Sequence, residues 1–491
     1  MNTLLSNSVF STLEKWSTLK NIIAEIQSKS QNFPVEIEGL QGAMHSFFTA
    51  EYLQAKQARL FNGIQYMATG RYSQPNKPQN NIIMSTSLDI MIIVPTEKDA
   101  EDVCTDLKSA FSQEIPIFKL PWWGIVAYRS AAKGALVFGE RAGVLAQLAA
   151  GNRYKNSSSK PRIFIIPIRS LLTPVPPPEY IKNLSISLKV NQTIDTAALS
   201  EQLTKAGYLR VPKIAARGEF ALRGEVLDIF LPGEENPHRI QFDFDQIEKI
   251  KIFDQITQTS TGTADSLVIY PMKEVLWTDE LINTLEEKLK NLEADTTDSA
   301  ESLDHKNQNE IIRLPLTPEA KATQQKMIEE LRTNRESEGE ELFYPILWEK
   351  KHCITEYLSE NSEIFFYDYD RLNNYQESLD REYIGMYRKT RASAPILLPH
   401  EILFRFSDAI AFHDKNIFFK SLHTQEDEKN TSVIKPDHFH IDCDPSQSFF
   451  ANINYLKEQI GEQQNDGWKI FIYTDIFVYF VEYNSSDFWQ K

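Results

Sequence analysis

One run of sequence decides the fold class, Asp89-Ile90-Met91-Ile92-Ile93-Val94-Pro95-Thr96. Its centre, Ile90–Val94, is a continuous apolar run with the length of a buried strand. Pro95 stops that strand, Thr96 can cap a helix, and an amphipathic stretch then continues to Phe111. Strand, cap and helix in this order predict an α/β unit.

Helix and buried strand alternate again downstream of this unit. Glu140–Ala150 is a helix candidate, and Ile163–Ile166 is a second apolar run of strand length. The proline cluster at 174–178 can continue neither kind of element. We therefore expect a first α/β domain over residues 1–176.

The next segment, residues 177–262, has a different pattern. Apolar and polar residues alternate there in three runs, Glu219–Phe230, Arg239–Phe244 and Ile247–Phe253. In the second run, alternation places Ile240, Phe242 and Phe244 on one face of a strand. We expect a small α+β module with an antiparallel sheet, inserted into the α/β domain.

Beyond this module we expect the α/β domain to resume over residues 263–385, with a charged and mobile insertion at 289–310. A strand is predicted at Ile364–Asp368. Residues 386–491 are expected to form a further small α/β domain of unknown role. That expectation rests on a strand at Asn416–Leu422, a helix at Ser448–Gly461 and a strand at Trp468–Thr474. The predicted fold is thus a multidomain α/β protein.

Charge and composition exclude several classes of function. The 491 residues include 52 Lys and Arg against 68 Asp and Glu, a formal charge of −16. Such a surface repels a phosphate backbone, which excludes broad binding of nucleic acid by the whole chain. The three cysteines are far apart and fit a reducing compartment. Without a signal peptide or a spanning apolar run, the sequence predicts a cytoplasmic protein with no membrane partner.

A glycine-containing stretch has the outline of a phosphate-binding loop, since it joins a strand candidate to a helix candidate. It contains Gly39, Gly42, Met44, His45 and Ser46. A working loop needs a second glycine where Met44 stands and a lysine where His45 stands. We therefore predict a degenerate, inactive nucleotide loop whose glycines allow close packing.

No catalytic motif is apparent elsewhere in the sequence. His438, His440, Asp442 and Asp444 alternate as strand residues on one side do, but Pro445 ends the element and no further ligand motif accompanies them. The sequence predicts neither a metal site nor a cofactor, and it leaves open whether the chain is an enzyme.

A basic cluster stands out within the acidic chain. Between Gly207 and Arg223 four cations face one carboxylate, and one more arginine follows on the next strand; the cations are Arg210, Lys213, Arg217, Arg223 and Arg239. Guanidinium groups bind carboxylates in a bidentate manner, so a docking surface for an acidic partner is one interpretation. A solvated polar face is the other, and the residues alone do not decide between them.

Several stretches together resemble one family, the bacterial transcription-repair coupling factor Mfd. Its N-terminal part shares a pattern with the excision-repair protein UvrB, and that pattern is matched at Gly207–Val211, Arg217–Phe230, Pro237–Phe242 and Phe253-Asp254. Leu120–Trp123 and Arg141–Leu148 resemble Mfd in particular. The resemblance covers most of residues 35–280.

The resemblance implies a UvrB-like α/β domain whose inserted module binds UvrA. By residue correspondence, the contact residues would be Arg210, Arg223, Arg239 and Phe242. Asp243 stands where a second Phe is usual in the family, and Gln241 replaces an acidic residue. The loop without a lysine matches a module that recruits a partner and binds no nucleotide.

The implied function is that of a transcription-coupled nucleotide-excision repair factor that recruits UvrA where RNA polymerase stalls at a lesion. In the family, the full-length form is an ATP-dependent DNA translocase, and its polymerase-binding and DNA-binding domains have no counterpart in this chain. The alternatives are a UvrB-like NTPase acting on damaged DNA and a truncated or split coupling factor.

Overall fold

The computed structural model describes residues 16–28, 33–68, 88–111, 115–123, 128–129, 136–151, 161–300, 313–420, 437–443 and 452–467. The helices of these ranges are α1 (Ser17–Ser28), α2 (Met44–Ala68), α3 (Glu97–Ala110), α4 (Leu136–Ala150), α5 (Ile168–Leu172), α6 (Pro178–Leu184), α7 (Thr196–Lys205), α8 (Asp279–Ala300), α9 (Pro318–Asn334), α10 (Tyr369–Thr390), α11 (Pro399–Ile402), α12 (Phe406–Ala411) and α13 (Ile453–Asn465). Two 3₁₀ segments lie at Glu340–Ile346 and Ile354–Tyr357.

The strands of the same ranges are β1 (Val35–Glu38), β2 (Asp89–Val94), β3 (Ile117–Lys119), β4 (Arg162–Pro167), β5 (Ile186–Lys189), β6 (Leu209–Arg210), β7 (Glu219–Arg223), β8 (Val226–Ile229), β9 (His238–Asp243), β10 (Gln246–Phe253), β11 (Ser260–Ala264), β12 (Ser266–Ile269), β13 (Glu363–Phe366), β14 (Asn416–Lys420) and β15 (Asp437–His440). They form sheets of seven, six and two strands.

The seven-stranded sheet is parallel and has the order β15-β1-β14-β13-β2-β4-β3. Every residue of β2 is buried, as expected for a strand covered on both faces. The predicted cap begins α3, because Thr96 Oγ1 accepts a hydrogen bond from the backbone N–H of Asp99 at 3.2 Å. The predicted α/β class is confirmed.

The six-stranded sheet has the order β11-β10-β9-β8-β7-β6 and is antiparallel except for the short pair β6–β7. One of its faces joins the main hydrophobic core through Leu227, Ile240 and Phe242. Phe244 differs from the prediction: it is 82% exposed, with φ +53°, because β9 ends at Asp243 and Phe244 lies in the turn. The antiparallel pairing also continues past residue 262, since β12 pairs with β5.

The chain after residue 386 differs from the expected separate domain. Strands β14 and β15 lie on either side of β1 in the parallel sheet. The apolar side chains of β14 explain its placement, because Ile417 and Phe419 are buried in one cluster with Val35 and Ile37, and Phe439 of β15 packs against the same cluster. The predicted helix near residue 450 is present as α13. The predicted strand at 468–474 lies outside the described residues, and α8 extends to Ala300 into the predicted insertion.

Helix α4 packs tightly against the loops that flank the six-stranded sheet. A Cβ atom at Gly139 would lie 2.5 Å from the side chain of Pro232, and one at Gly143 would lie 2.7 Å from that of Tyr270. The absence of side chains at these two positions therefore allows close contact between α4 and the module.

A buried ion pair crosses the same contact. Arg141 of α4 is 0% exposed and Glu274 is 1% exposed. The Arg141 guanidinium donates to both carboxylate oxygens of Glu274 and, at 2.6 Å, to the carbonyl of Pro121. The indole N–H of Trp123 donates to Glu274 at 3.0 Å, and the guanidinium lies 4.7 Å from the Trp123 ring.

Within the described ranges, none of the helices has both the length and the apolar content needed to cross a bilayer.

Candidate functional site

The outer face of the six-stranded sheet carries the charged side chains of the predicted site. Its cross-strand register places Asp228 beside Arg239, and Arg239 beside Lys251. The neighbouring row runs from Arg223 through Val226 and Gln241 to Lys249. We call this surface the basic face, comprising Arg223, Asp228, Arg239, Gln241, Lys249 and Lys251.

A buried carboxylate holds the two arginines of the basic face together. Asp228 is 1% exposed. Its Oδ1 accepts from Arg239 Nε at 2.6 Å, and its Oδ2 accepts from Arg239 Nη2 at 2.9 Å and from Arg223 Nη2 at 2.8 Å. Because one carboxylate balances two guanidinium groups, the trio keeps a net positive charge at the surface.

Arg239 is further fixed by its surroundings. Its guanidinium lies 4.4 Å from the Phe253 ring centroid and donates to Gln258 Oε1 at 3.1 Å. The hydrogen bonds to Asp228 raise the pKa of Arg239 above its usual value. The Arg223 side chain is 51% exposed and that of Arg239 is 24% exposed. Arg223 is therefore the more accessible of the two for a partner.

The structure separates two of the predicted contact residues from this trio. Phe242 is 4% exposed and belongs to the core on the opposite face of the sheet. Phe242 therefore lies away from the basic face, because neighbouring residues of a strand point to opposite faces, and its contact with a partner stays a prediction. Arg210 is exposed on the edge strand β6, where the register pairs it with Phe220 and not with the row that contains Asp228.

The remaining cations of the basic cluster lie in the loop before β7. Lys213 is exposed, and the Arg217 guanidinium lies 4.0 Å from the carboxylate of Glu140 on α4. Glu219 orders this loop, since its Oε2 accepts from the backbone N–H groups of Ala215 and Ala216. Arg217 therefore faces α4.

Asp228, which holds both arginines in place, is the residue of this candidate site that the sequence alone did not reveal. It sits within an otherwise apolar stretch of strand, Val226–Ile229, directly opposite Arg239. A lone acidic residue inside a strand, flanked along the chain by arginines, is the signal that could have revealed it.

His238 precedes Arg239 and lies on the core face of β9, with 6% exposure. Burial lowers its pKa to about 4. Its register partners, Ile229 and Ile252, are apolar and offer the ring no charge. The imidazole is therefore neutral in the folded protein at pH 7.

The burial of His238 predicts a dependence of stability on pH. Between pH 6.5 and 4 the unfolded state binds more protons at this position than the folded state, so stability falls as the solution is acidified. We expect His238 to contribute a loss of about 2 kcal/mol on going from pH 7 to pH 5. Urea denaturation at both pH values measures it. The His238→Leu variant should show a smaller loss than the wild type, and equal losses would contradict the prediction.

The glycine loop lies at the carboxyl end of β1, where parallel α/β sheets commonly bind ligands. Gly39 has φ +91° and Gly42 has φ +53°. A Cβ atom at Gly39 would lie 2.1 Å from the carbonyl oxygen of Ile441, the residue just after β15. Close approach of the chain beyond β15 therefore requires glycine at position 39.

The helix start after this loop is occupied by internal contacts. The His45 ring lies 4.9 Å from the ring of Phe419 and 5.5 Å from that of Tyr367, and burial lowers its pKa below the usual value. Ser46 is 1% exposed and donates to Asp106, whose pKa burial raises to about 6. Met44 is the first residue of α2. These contacts agree with a packing role for the loop.

In the described part of the chain, no group of three or more His, Cys, Asp or Glu side chains is placed to hold a metal ion.

Comparison with known proteins finds a family model that matches the module. Residues 186–275 match the model of the UvrB interaction domain. The matched range contains strands β5 to β12 and the whole basic face.

Similarity extends beyond that module. A transcription-repair-coupling factor of Borreliella burgdorferi is 26% identical over 389 residues, which cover 78% of this chain and 30% of that protein. The transcription-repair-coupling factor of Rickettsia prowazekii is 31% identical over 45% of this chain and 19% of that protein. The one of Rickettsia bellii is 23% identical over 72% of this chain and 29% of that protein. The matches thus span less than a third of each relative. The chain resembles the N-terminal, UvrB-like part of the transcription-repair coupling factors.

Proposed function

We propose that this chain binds UvrA through the basic face and acts as a recruitment module in transcription-coupled nucleotide-excision repair, in the cytoplasm. The observation that carries the proposal is the arginine pair Arg223 and Arg239, anchored on buried Asp228 inside the range that matches the UvrB interaction domain. Similarity to coupling factors over most of the chain supports the same assignment.

The geometry suits an acidic partner. Arg223 keeps half of its surface exposed while Asp228 holds its guanidinium in place, so little side-chain freedom remains to be lost on binding. Lys251 adds positive charge on the neighbouring strand, where Lys249 is paired with Glu248 at 2.7 Å. Such a surface attracts carboxylates and sets the orientation of the complex.

The proposal gives the chain no catalysis of its own. The glycine loop has His45 where a nucleotide-binding loop needs lysine, and the partly buried ring packs against Tyr367 and Phe419. We propose that this loop binds no nucleotide and serves packing alone. We assign no contact with RNA polymerase or DNA to the described residues.

Calorimetric titration of the full chain with purified UvrA tests the proposal. We expect Arg223→Glu to weaken binding by about 30-fold or more, because it places a carboxylate against the partner's acidic groups. Arg223 is preferred over Arg239 for this test, since Asp228 then keeps both hydrogen bonds from Arg239.

The matched control is Arg332→Glu. Arg332 is 42% exposed and paired with a carboxylate, as Arg223 is, but it lies on α9 outside the module. It should leave UvrA affinity unchanged. The proposal fails if the wild-type chain does not bind UvrA, or if the two variants bind equally well.

A further inference from the structure

The turn between β10 and β11 presents an apolar side chain to solvent beside the basic face. Among the described residues, Ile256 has the most exposed large hydrophobic side chain, at 90%. Single exposed apolar residues are common on protein surfaces and need no role. Ile256 differs from such residues in its surroundings, which suggest a role in binding.

The turn is held by several hydrogen bonds of its own. Asp254 Oδ1 accepts from the backbone N–H of Ile256 at 3.0 Å and from that of Thr257 at 2.7 Å, and it also accepts from the Thr257 hydroxyl. The Asp254 carbonyl accepts from the backbone N–H of Gln258 at 2.8 Å, and the Asp254 N–H donates to the carbonyl of Thr259 at 2.9 Å. Ile256 is thus held at a fixed place, and fixing it on binding costs little entropy.

The same turn is attached to the basic face. Gln258 accepts from Arg239, and the Gln255 amide donates to the carbonyl of Ala215 in the loop before β7. Phe253, which begins the turn, lies under the Arg239 guanidinium. Any partner that contacts Arg239 therefore meets this turn at the edge of the contact.

We propose that Ile256 is an apolar anchor that inserts into a hydrophobic pocket on UvrA, next to the acidic groups that meet Arg223 and Arg239. This inference rests on the proposed function and adds a contact to the same surface. The partner site is then of mixed chemistry, with carboxylates opposite the guanidinium groups and an apolar recess beside them. Apolar contacts beside charged groups are common in specific interfaces.

The test is calorimetric titration of UvrA with the full chain carrying Ile256→Ser. Burial of an isoleucine side chain in a pocket predicts that this variant binds about 10-fold more weakly or worse. Ile256→Leu, which keeps the apolar volume, should bind within about 3-fold of the wild type. The control Ile453→Ser changes another exposed isoleucine, 59% exposed on α13, and should bind as the wild type does.

Salt separates an apolar contact from an effect that passes through Arg239. The loss caused by Ile256→Ser should be the same at low and at high salt, whereas the loss caused by Arg223→Glu should shrink as salt rises. In thermal denaturation, the Ile256→Ser variant should unfold at the same temperature as the wild type, because the Ile256 side chain is exposed.

Two results would overturn the inference while leaving the proposed function intact: wild-type affinity of Ile256→Ser alongside weak binding of Arg223→Glu, or a loss in Ile256→Ser that shrinks with salt. A wild-type chain that does not bind UvrA overturns both the inference and the proposed function.

Discussion

Replacement of Glu274 by alanine is expected to lower the free energy of unfolding by about 3–5 kcal/mol. The carboxylate is 1% exposed and accepts from Arg141 and from Trp123. Its loss leaves a guanidinium with 0% exposure without its counter-charge, and an unpaired buried charge is among the most destabilising changes in a protein. Urea denaturation followed by tryptophan fluorescence measures the change.

Two further variants show whether the unpaired charge is the cause. Glu286→Ala removes a 36% exposed carboxylate that pairs with Lys290 and Arg332, and it should cost less than about 1 kcal/mol. The double variant Arg141→Met with Glu274→Leu removes both charges and should recover most of the stability. A small loss in Glu274→Ala, or no recovery in the double variant, would contradict this account.

Replacement of Asp228 by alanine is expected to have the second-largest effect, and it acts on stability and binding together. Arg239 loses two hydrogen bonds and Arg223 loses one. We expect the free energy of unfolding to fall by about 2–3 kcal/mol, below the loss for Glu274, because the arginines can still reach water. Binding to UvrA should weaken as well, since neither guanidinium remains held in place.

Asp228→Asn tests the geometric part of this prediction. The amide keeps one oxygen as an acceptor but brings an NH₂ group toward a guanidinium, so it should be intermediate in stability between wild type and alanine. Asp265→Ala changes an exposed carboxylate between β11 and β12 and serves as the control, with little effect on either measurement. Equal stabilities of the Asp228→Ala and Asp265→Ala variants would refute the anchoring role.

Local pattern was enough to predict the elements with strong signals. The apolar run Ile90–Val94 and the cap Thr96 appear as β2 and the start of α3. Ile364–Asp368 was likewise predicted as a strand, and β13 covers Glu363–Phe366. These signals are local because burial on both faces of a strand leaves a continuous apolar run.

The alternation of apolar and polar residues placed Phe244 wrongly on a strand, because alternation does not indicate where a strand ends. The run Arg239–Phe244 alternates throughout, yet the chain turns at Phe244 with a positive φ that aromatic residues rarely adopt. Asp243 and Asp245 favour a turn here, but no glycine or proline stands between them. The weaker turn signal of the two aspartates was outweighed by the alternation of the run.

Pairing between distant strands could not be predicted either. The buried strand β14 has a local sequence that would suit any α/β sheet, and nothing in β14 or β15 indicates that β1 is the neighbour. The arginines of the site were predicted as a cluster, but their common carboxylate, Asp228, was not. Both failures concern contacts that the three-dimensional fold creates between separate stretches of chain.

The position of β1 has a consequence for how the protein is made. β1 is synthesised long before both of its neighbours in the sheet, β14 and β15, because the whole module and strand β13 lie between them in the chain. Its hydrogen-bonding edges therefore stay unpaired while the intervening chain is made, and unpaired edges favour mispairing. We expect newly made chains to need chaperone protection until β14 and β15 have been made, whereas the module that matches the UvrB interaction domain, formed from one continuous stretch, can fold earlier.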